Sequence, residues 1–154
     1  MRNSIWTGSS NLFHVIAAAA LLLTIAICHA DAAELTVSEA WIRALPPSVP
    51  SGGYFTLHNA GSKPVILTGA ESPACGMLML HKSENHGGMG MMMDMDSVDV
   101  PAGGTVRFAP GGLHLMCMQA GPAIKPGSVV PVTLTFQDGR KIATKFQVRG
   151  ATGR

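Results

Sequence analysis

From Glu34 onward, apolar residues come in short stretches separated by glycine, proline and small polar residues. Leu35, Val37 and Trp41-Ile42 predict an opening strand. Pro46-Pro47 and then Pro50-Ser51-Gly52-Gly53 interrupt it, because proline withholds a ladder donor and glycine permits turns. Tyr54–Leu57 predicts a second strand and Asn59-Ala60-Gly61-Ser62 a turn. Val65–Thr68, Gly76–His81, Ser97–Val100, Thr105–Phe108 and Leu113–Met118 predict further strands. Val132–Gln137 and Arg140–Val148 flank Asp138-Gly139, a strong two-residue hairpin signal. No stretch of this region shows a long helical period free of glycine and proline. Many short strands with frequent turns predict an all-β single domain, a sandwich or a barrel.

Period-two alternation also sorts side chains onto faces. Met77, Met79 and His81 share one face of their strand, and Leu78 and Leu80 the other. His114, Met116 and Met118 share one face of theirs, with Leu115 and Cys117 behind them. A His and a Met two apart on a strand can therefore reach one ion together.

The first thirty or so residues have a different pattern. Arg2 is followed by LFHVIAAAALLLTIAI from Leu12 to Ile27, without an acidic or basic residue apart from His14. Cys28-His29-Ala30 and Ala30-Asp31-Ala32 then fit a small-x-small cleavage site. This predicts a secretory signal peptide over residues 1–32, cleaved after Ala30 or Ala32, and a functional domain over residues 33–154. The apolar run is shorter than the roughly 20 residues that span a bilayer. Lipid attachment would use Cys28, but Ile27 stands where such a site takes a small residue. Export predicts a periplasmic protein with no membrane span once the signal is removed. It leaves Cys75 and Cys117, which in an oxidising compartment either pair or remain packed thiols.

Composition narrows the function. The net charge is only +2 and no basic run occurs, which excludes a nucleic-acid binder that works by neutralising phosphates. Of 10 methionines, all but Met1 lie beyond the signal peptide. Five fall in Gly87-Gly88-Met89-Gly90-Met91-Met92-Met93-Asp94-Met95. Its glycines are costly to order, so it reads as a flexible loop with exposed thioethers. Met77, Met79 and Met118 read as gap fillers of a core, and His58 as an ordinary histidine where a strand meets a turn. Calcium and magnesium want oxygen ligands, and zinc prefers Cys, His and carboxylate. Thioethers select Cu(I).

His81, ten residues, Met92, twenty-one residues, His114, one residue, Met116: this spacing resembles the motif of the periplasmic copper chaperone PCu(A)C family. Ala40-Trp41-Ile42-Arg43, Gly53-Tyr54-Phe55, Val100-Pro101-Ala102-Gly103-Gly104 and Pro110-Gly111-Gly112-Leu113-His114-Leu115-Met116 resemble its landmarks, over about Leu35 to Val148. The resemblance implies a cupredoxin-like Greek-key β-barrel or sandwich and no enzyme activity. It implies one Cu(I) held by His81, Met92, His114 and Met116. The implied recipient is a copper-accepting protein such as the CuA domain of cytochrome c oxidase or its assembly factors. The alternative is a copper-buffering or resistance protein without a dedicated recipient. The chain departs from the family at Lys82, where some versions carry Met, and its last residues, 147–154, hold neither His nor Met. His86, Met89, Met91, Met93 and Met95 are expected to add auxiliary copper capacity instead. A blue-copper site would need a His after Cys117, and none follows.

Overall fold

The apolar stretches form ten strands among the residues described by this computed structural model, which are 34–87 and 89–154. The expected signal peptide and cleavage site lie outside the described residues. The strands are β1 (Leu35–Arg43), β2 (Ser51–Asn59), β3 (Val65–Glu71), β4 (Cys75–His86), β5 (Met89–Asp94), β6 (Val98–Val100), β7 (Thr105–Phe108), β8 (Leu113–Ala120), β9 (Val129–Phe136) and β10 (Lys141–Arg149). No helix among the described residues is long and apolar enough to cross a membrane. They hydrogen-bond in the order β5-β4-β8-β2-β1-β10-β9-β3-β6, and β7 also pairs with β2. β8 takes the first half of that edge of β2 (Ser51–Gly53) and β7 the second (Phe55–His58). The first and last strands, β1 and β10, run parallel; the other ladders are antiparallel. The architecture is a single all-β domain.

Every strand except β5 sends buried side chains into one core, from Ile42, Phe55 and Leu57 through Leu80, Leu115 and Phe136 to Phe146. Phe55 and Phe108 stack at 4.2 Å between centroids, with Phe146 tilted 5.6 Å from Phe55. Residues of β4, near one end of the strand order, and of β6, at the other end, meet in this cluster, so the sheet curls around it and leaves its outer face to the solvent.

Three local expectations change. Ser51-Gly52-Gly53 does not interrupt a strand but begins β2. The Tyr54 side chain folds back over Gly52, where an added Cβ would run into the phenol, 2.8 Å from Cζ; at Gly53 it would come within 3.2 Å of the Leu115 Cβ. The glycines serve close packing here. Gly52→Ala should destabilise by about 1–3 kcal/mol through overpacking, read as a lower urea midpoint. The methionine segment is also not a loop. It folds back on an extended β4 as strand β5, through a turn at Gly87 (φ 62°). Ladder bonds to Lys82–His86 offset the ordering cost of its glycines. Finally, the β9–β10 turn spans four residues, Gln137–Arg140, rather than two. The Asp138 carboxylate accepts bonds from Arg140 Nε (2.7 Å) and N (3.0 Å), which hold its carboxyl below the usual range.

Candidate metal centre

The β4–β8 ladder brings together the two strand faces that carry histidine and methionine. His81 stands opposite His114, Met79 opposite Met116, and Met77 opposite Met118. Directly opposed residues point to the same side of a sheet, and here that side is the outer one, since Leu78, Leu80, Leu115 and Cys117 fill the core. The imidazole centroids of His81 and His114 are 5.7 Å apart. Both residues are nonetheless buried, at 9% and 6% exposure. Tyr54, whose ring is 6.4 Å from that of His114, walls the pair on one side. Trp41 packs 4.6 Å behind Tyr54, with the Arg43 and Arg149 guanidinium groups over the indole.

The two imidazoles differ in their partners. His114 Nδ1 is 3.0 Å from the Gly112 carbonyl oxygen. A carbonyl can only accept, so Nδ1 carries the proton and Nε2 keeps its lone pair. Such a backbone partner is the usual way to orient a ligating histidine. The same carbonyl accepts the Ser83 N–H at 3.0 Å, tying β4 to β8 beside the histidines. His81 has no hydrogen bond to either ring nitrogen. Asp94 Oδ1 does approach Nε2 to 2.9 Å. That contact is an ion pair at most, and Nδ1 has no partner at all. A buried ring nitrogen left this way is costly, and an electrophile at that position would satisfy it.

Register decides which β5 residue shares this face. His81 opposes Asp94 and Ser83 opposes Met92, so Met92 is the diagonal neighbour of His81, within reach of a long side chain. Met116 is its diagonal neighbour on the other side. Met91 opposes Glu84 and Met93 opposes Lys82, on the reverse face of the hairpin; His86 pairs with Met89 in the register. Met95 packs partly buried against the core. Met92 is 61% exposed.

Met77 and Met118 are not core filler: they are 57% and 36% exposed, on the histidine face. Met79 is half-buried on that face. Alternation along β4 places all of these on one side; what it cannot say is which side is wet. Tyr54 and Asp94 are the other residues near the histidines that sequence reasoning passed over as site residues. Alternation from buried Phe55 would have set Tyr54 on the outer face. His58 is remote from the site, with Nδ1 2.9 Å from Thr105 Oγ1.

Cys75 and Cys117 form a disulfide, with Cα atoms 5.5 Å apart. No thiolate is therefore present beside His114. Among the described residues no group of three or more His, Cys, Asp or Glu could hold a metal. The donors on this face are two imidazoles, several thioethers and the Asp94 carboxylate; the thioethers are what suits Cu(I) better than zinc or calcium.

Residues 35–148 match the family described as "Putative lipoprotein LpqE-like". The chain is 31% identical to "Putative lipoprotein Lxx21020" of Leifsonia xyli subsp. xyli, over 96% of this chain and 95% of that protein. Among solved structures it resembles CuI-DR1885 from Deinococcus radiodurans, at 33% identity and TM-score 0.62, covering 78% of this chain and 83% of the other. The copper-bound PCuAC domain from PmoF2 shares the fold, at 20% identity and TM-score 0.64, over 76% of this chain and 93% of that domain. The chain belongs to the LpqE-like family, and its fold is that of the solved PCuAC domains and of the Deinococcus protein.

Proposed function

We propose that this chain is an exported copper chaperone that binds Cu(I) through His81, Met92, His114 and Met116 and passes it to a copper-accepting protein such as a CuA domain. The observation that carries this reading is the buried His81–His114 pair. One ring is oriented by the Gly112 carbonyl, the other meets only the Asp94 carboxylate at Nε2 and nothing at Nδ1, and thioethers stand diagonally on both sides. The Cu(I) in the name of the Deinococcus protein supports the choice of metal. Imidazoles on two paired strands stay fixed, whereas Met92 lies on the edge strand of the sheet and is exposed. Thioethers are neutral and carry no proton to lose, so an acceptor's ligands can displace Met92 first and the histidines last. The disulfide fits an oxidising compartment.

Titration of the protein with Cu(I) against a chromogenic chelator tests the assignment. One tight equivalent is expected, and copper should move to an isolated CuA domain on mixing; failure to bind one equivalent overturns the reading. Register makes a finer prediction. Met92→Leu should weaken that equivalent by about tenfold, roughly 1.4 kcal/mol, while Met91→Leu and Met93→Leu leave it within about twofold. Equal effects of the three would refute Met92 as the ligand. His86, Met89, Met91, Met93 and Met95, in and after this hairpin, add weaker capacity in this reading. Replacing all five should lower total stoichiometry but preserve the tight site.

Both the matching family and the Leifsonia relative are named as lipoproteins, which directs attention to Cys28. Mass spectrometry of the protein from an exporting host separates a lipid-bearing Cys28 from cleavage after Ala30 or Ala32. Either result leaves the copper domain outside the cytoplasm.

A further inference from the structure

We propose that Met77, Met79 and Met118 form a second Cu(I) position, an all-thioether station on the outer face that feeds the histidine site and shares Met116 with it while that site is empty. Four methionines occur there as two directly opposed pairs, Met77 with Met118 and Met79 with Met116. Opposed Cβ atoms on antiparallel strands lie about 4.5–5.5 Å apart, and methionine has three rotatable bonds beyond the backbone. Sulfur atoms from both pairs can therefore converge on one ion without moving the strands. The exposures point the same way. Met77 and Met118 are 57% and 36% exposed, and Met79 and Met116 half-buried. Thioethers filling a core would be hidden, as Leu78, Leu80 and Leu115 are one residue away.

The two positions are continuous. The opposed pairs succeed one another along the ladder as Met77–Met118, Met79–Met116 and His81–His114. Each step is two residues along a strand, about 6.6–6.8 Å. A Cu(I) ion held by the four thioethers can stay bound to Met116 while it exchanges its other thioethers for the two imidazoles. The exchange moves neutral ligands only: the copper remains Cu(I), no proton is released when the imidazoles are neutral, and no oxidant or reductant is needed. The station itself is formed by Met77, Met79 and Met118; its use of Met116 and its role as a feeder rest on the histidine site being the tight one.

The test is Ag(I), a redox-inert stand-in for Cu(I), added to the full exported protein with its methionine methyl carbons labelled for NMR. In the wild type the Met77 and Met118 methyl signals should move with the second equivalent. In the His81→Ala/His114→Ala variant they should move with the first. Met77→Leu/Met118→Leu, which changes only exposed side chains, should bind one fewer ion and keep the affinity of the tight site within about twofold. Met77 and Met118 signals that stay still through two equivalents overturn the station, as does their loss of response in the double-histidine variant. If the double-histidine variant still binds the tight equivalent, the histidine assignment fails instead.

Discussion

His114→Ala is expected to lower Cu(I) affinity by on the order of a hundredfold, about 2.8 kcal/mol, with the fold intact. Its imidazole is the more rigid of the two. The ring is buried beside Tyr54, and donation from Nδ1 to the Gly112 carbonyl leaves Nε2 as the one lone pair available to a metal. Disturbing an orienting partner alone typically costs 10–100-fold in metal affinity, so removing the ligand should cost at least the upper end of that range. His58→Ala is the matched control. That residue sits near the end of β2 with Thr105 as its partner, and its replacement should leave the affinity within about twofold. Competition against a Cu(I) chelator reads both variants, and circular dichroism verifies the fold. An unchanged affinity in His114→Ala would sink the ligand assignment.

Removal of the disulfide has the largest expected effect on stability. Cys75 and Cys117 are separated by 42 positions in the chain, and the chain-entropy account assigns a cross-link of that span about 4 kcal/mol. For a domain of this size the Cys75→Ala/Cys117→Ala variant should therefore melt on the order of 15 °C lower. The bond also ties β4 to β8, the strands that carry both histidines. Cu(I) binding to the variant should thus weaken as temperature rises, well before it does in the parent protein. A calorimetric midpoint within a few degrees of the parent's would contradict this. Cu(I) titrations of the parent should use ascorbate rather than a thiol reductant, so that the cross-link survives.

Several features were legible in the chain because they depend on near neighbours. The alternation of His114, Met116 and Met118 against Leu115 and Cys117 needs only the geometry of a strand, and β8 has those two faces. The same holds for Met77, Met79 and His81 on β4. The spacing from His81 to Met116 resembles that of the PCu(A)C family, and the fold is that of solved PCuAC domains. The methionine segment was misread because its glycines predict disorder locally; the ladder that orders it comes from a longer β4. Gly52 was misread as a break for a related reason. Its role is set by a ring that folds back over it, and composition does not report such close packing.

By itself the sequence determined the short strands, the faces of each, the soft-donor chemistry and the histidine–methionine spacing, because each follows from residue type and period-two geometry. Only the tertiary structure decided how the strands align. A slip of one residue in the β4–β5 register would turn Met92 away from His81 and bring Met91 and Met93 to its side. Tertiary packing likewise decided that Cys75 and Cys117 pair, that the histidine face looks outward, and that Met77 and Met118 meet water. These outcomes depend on which distant segments lie alongside one another, and that is set by how the whole sheet closes over its core.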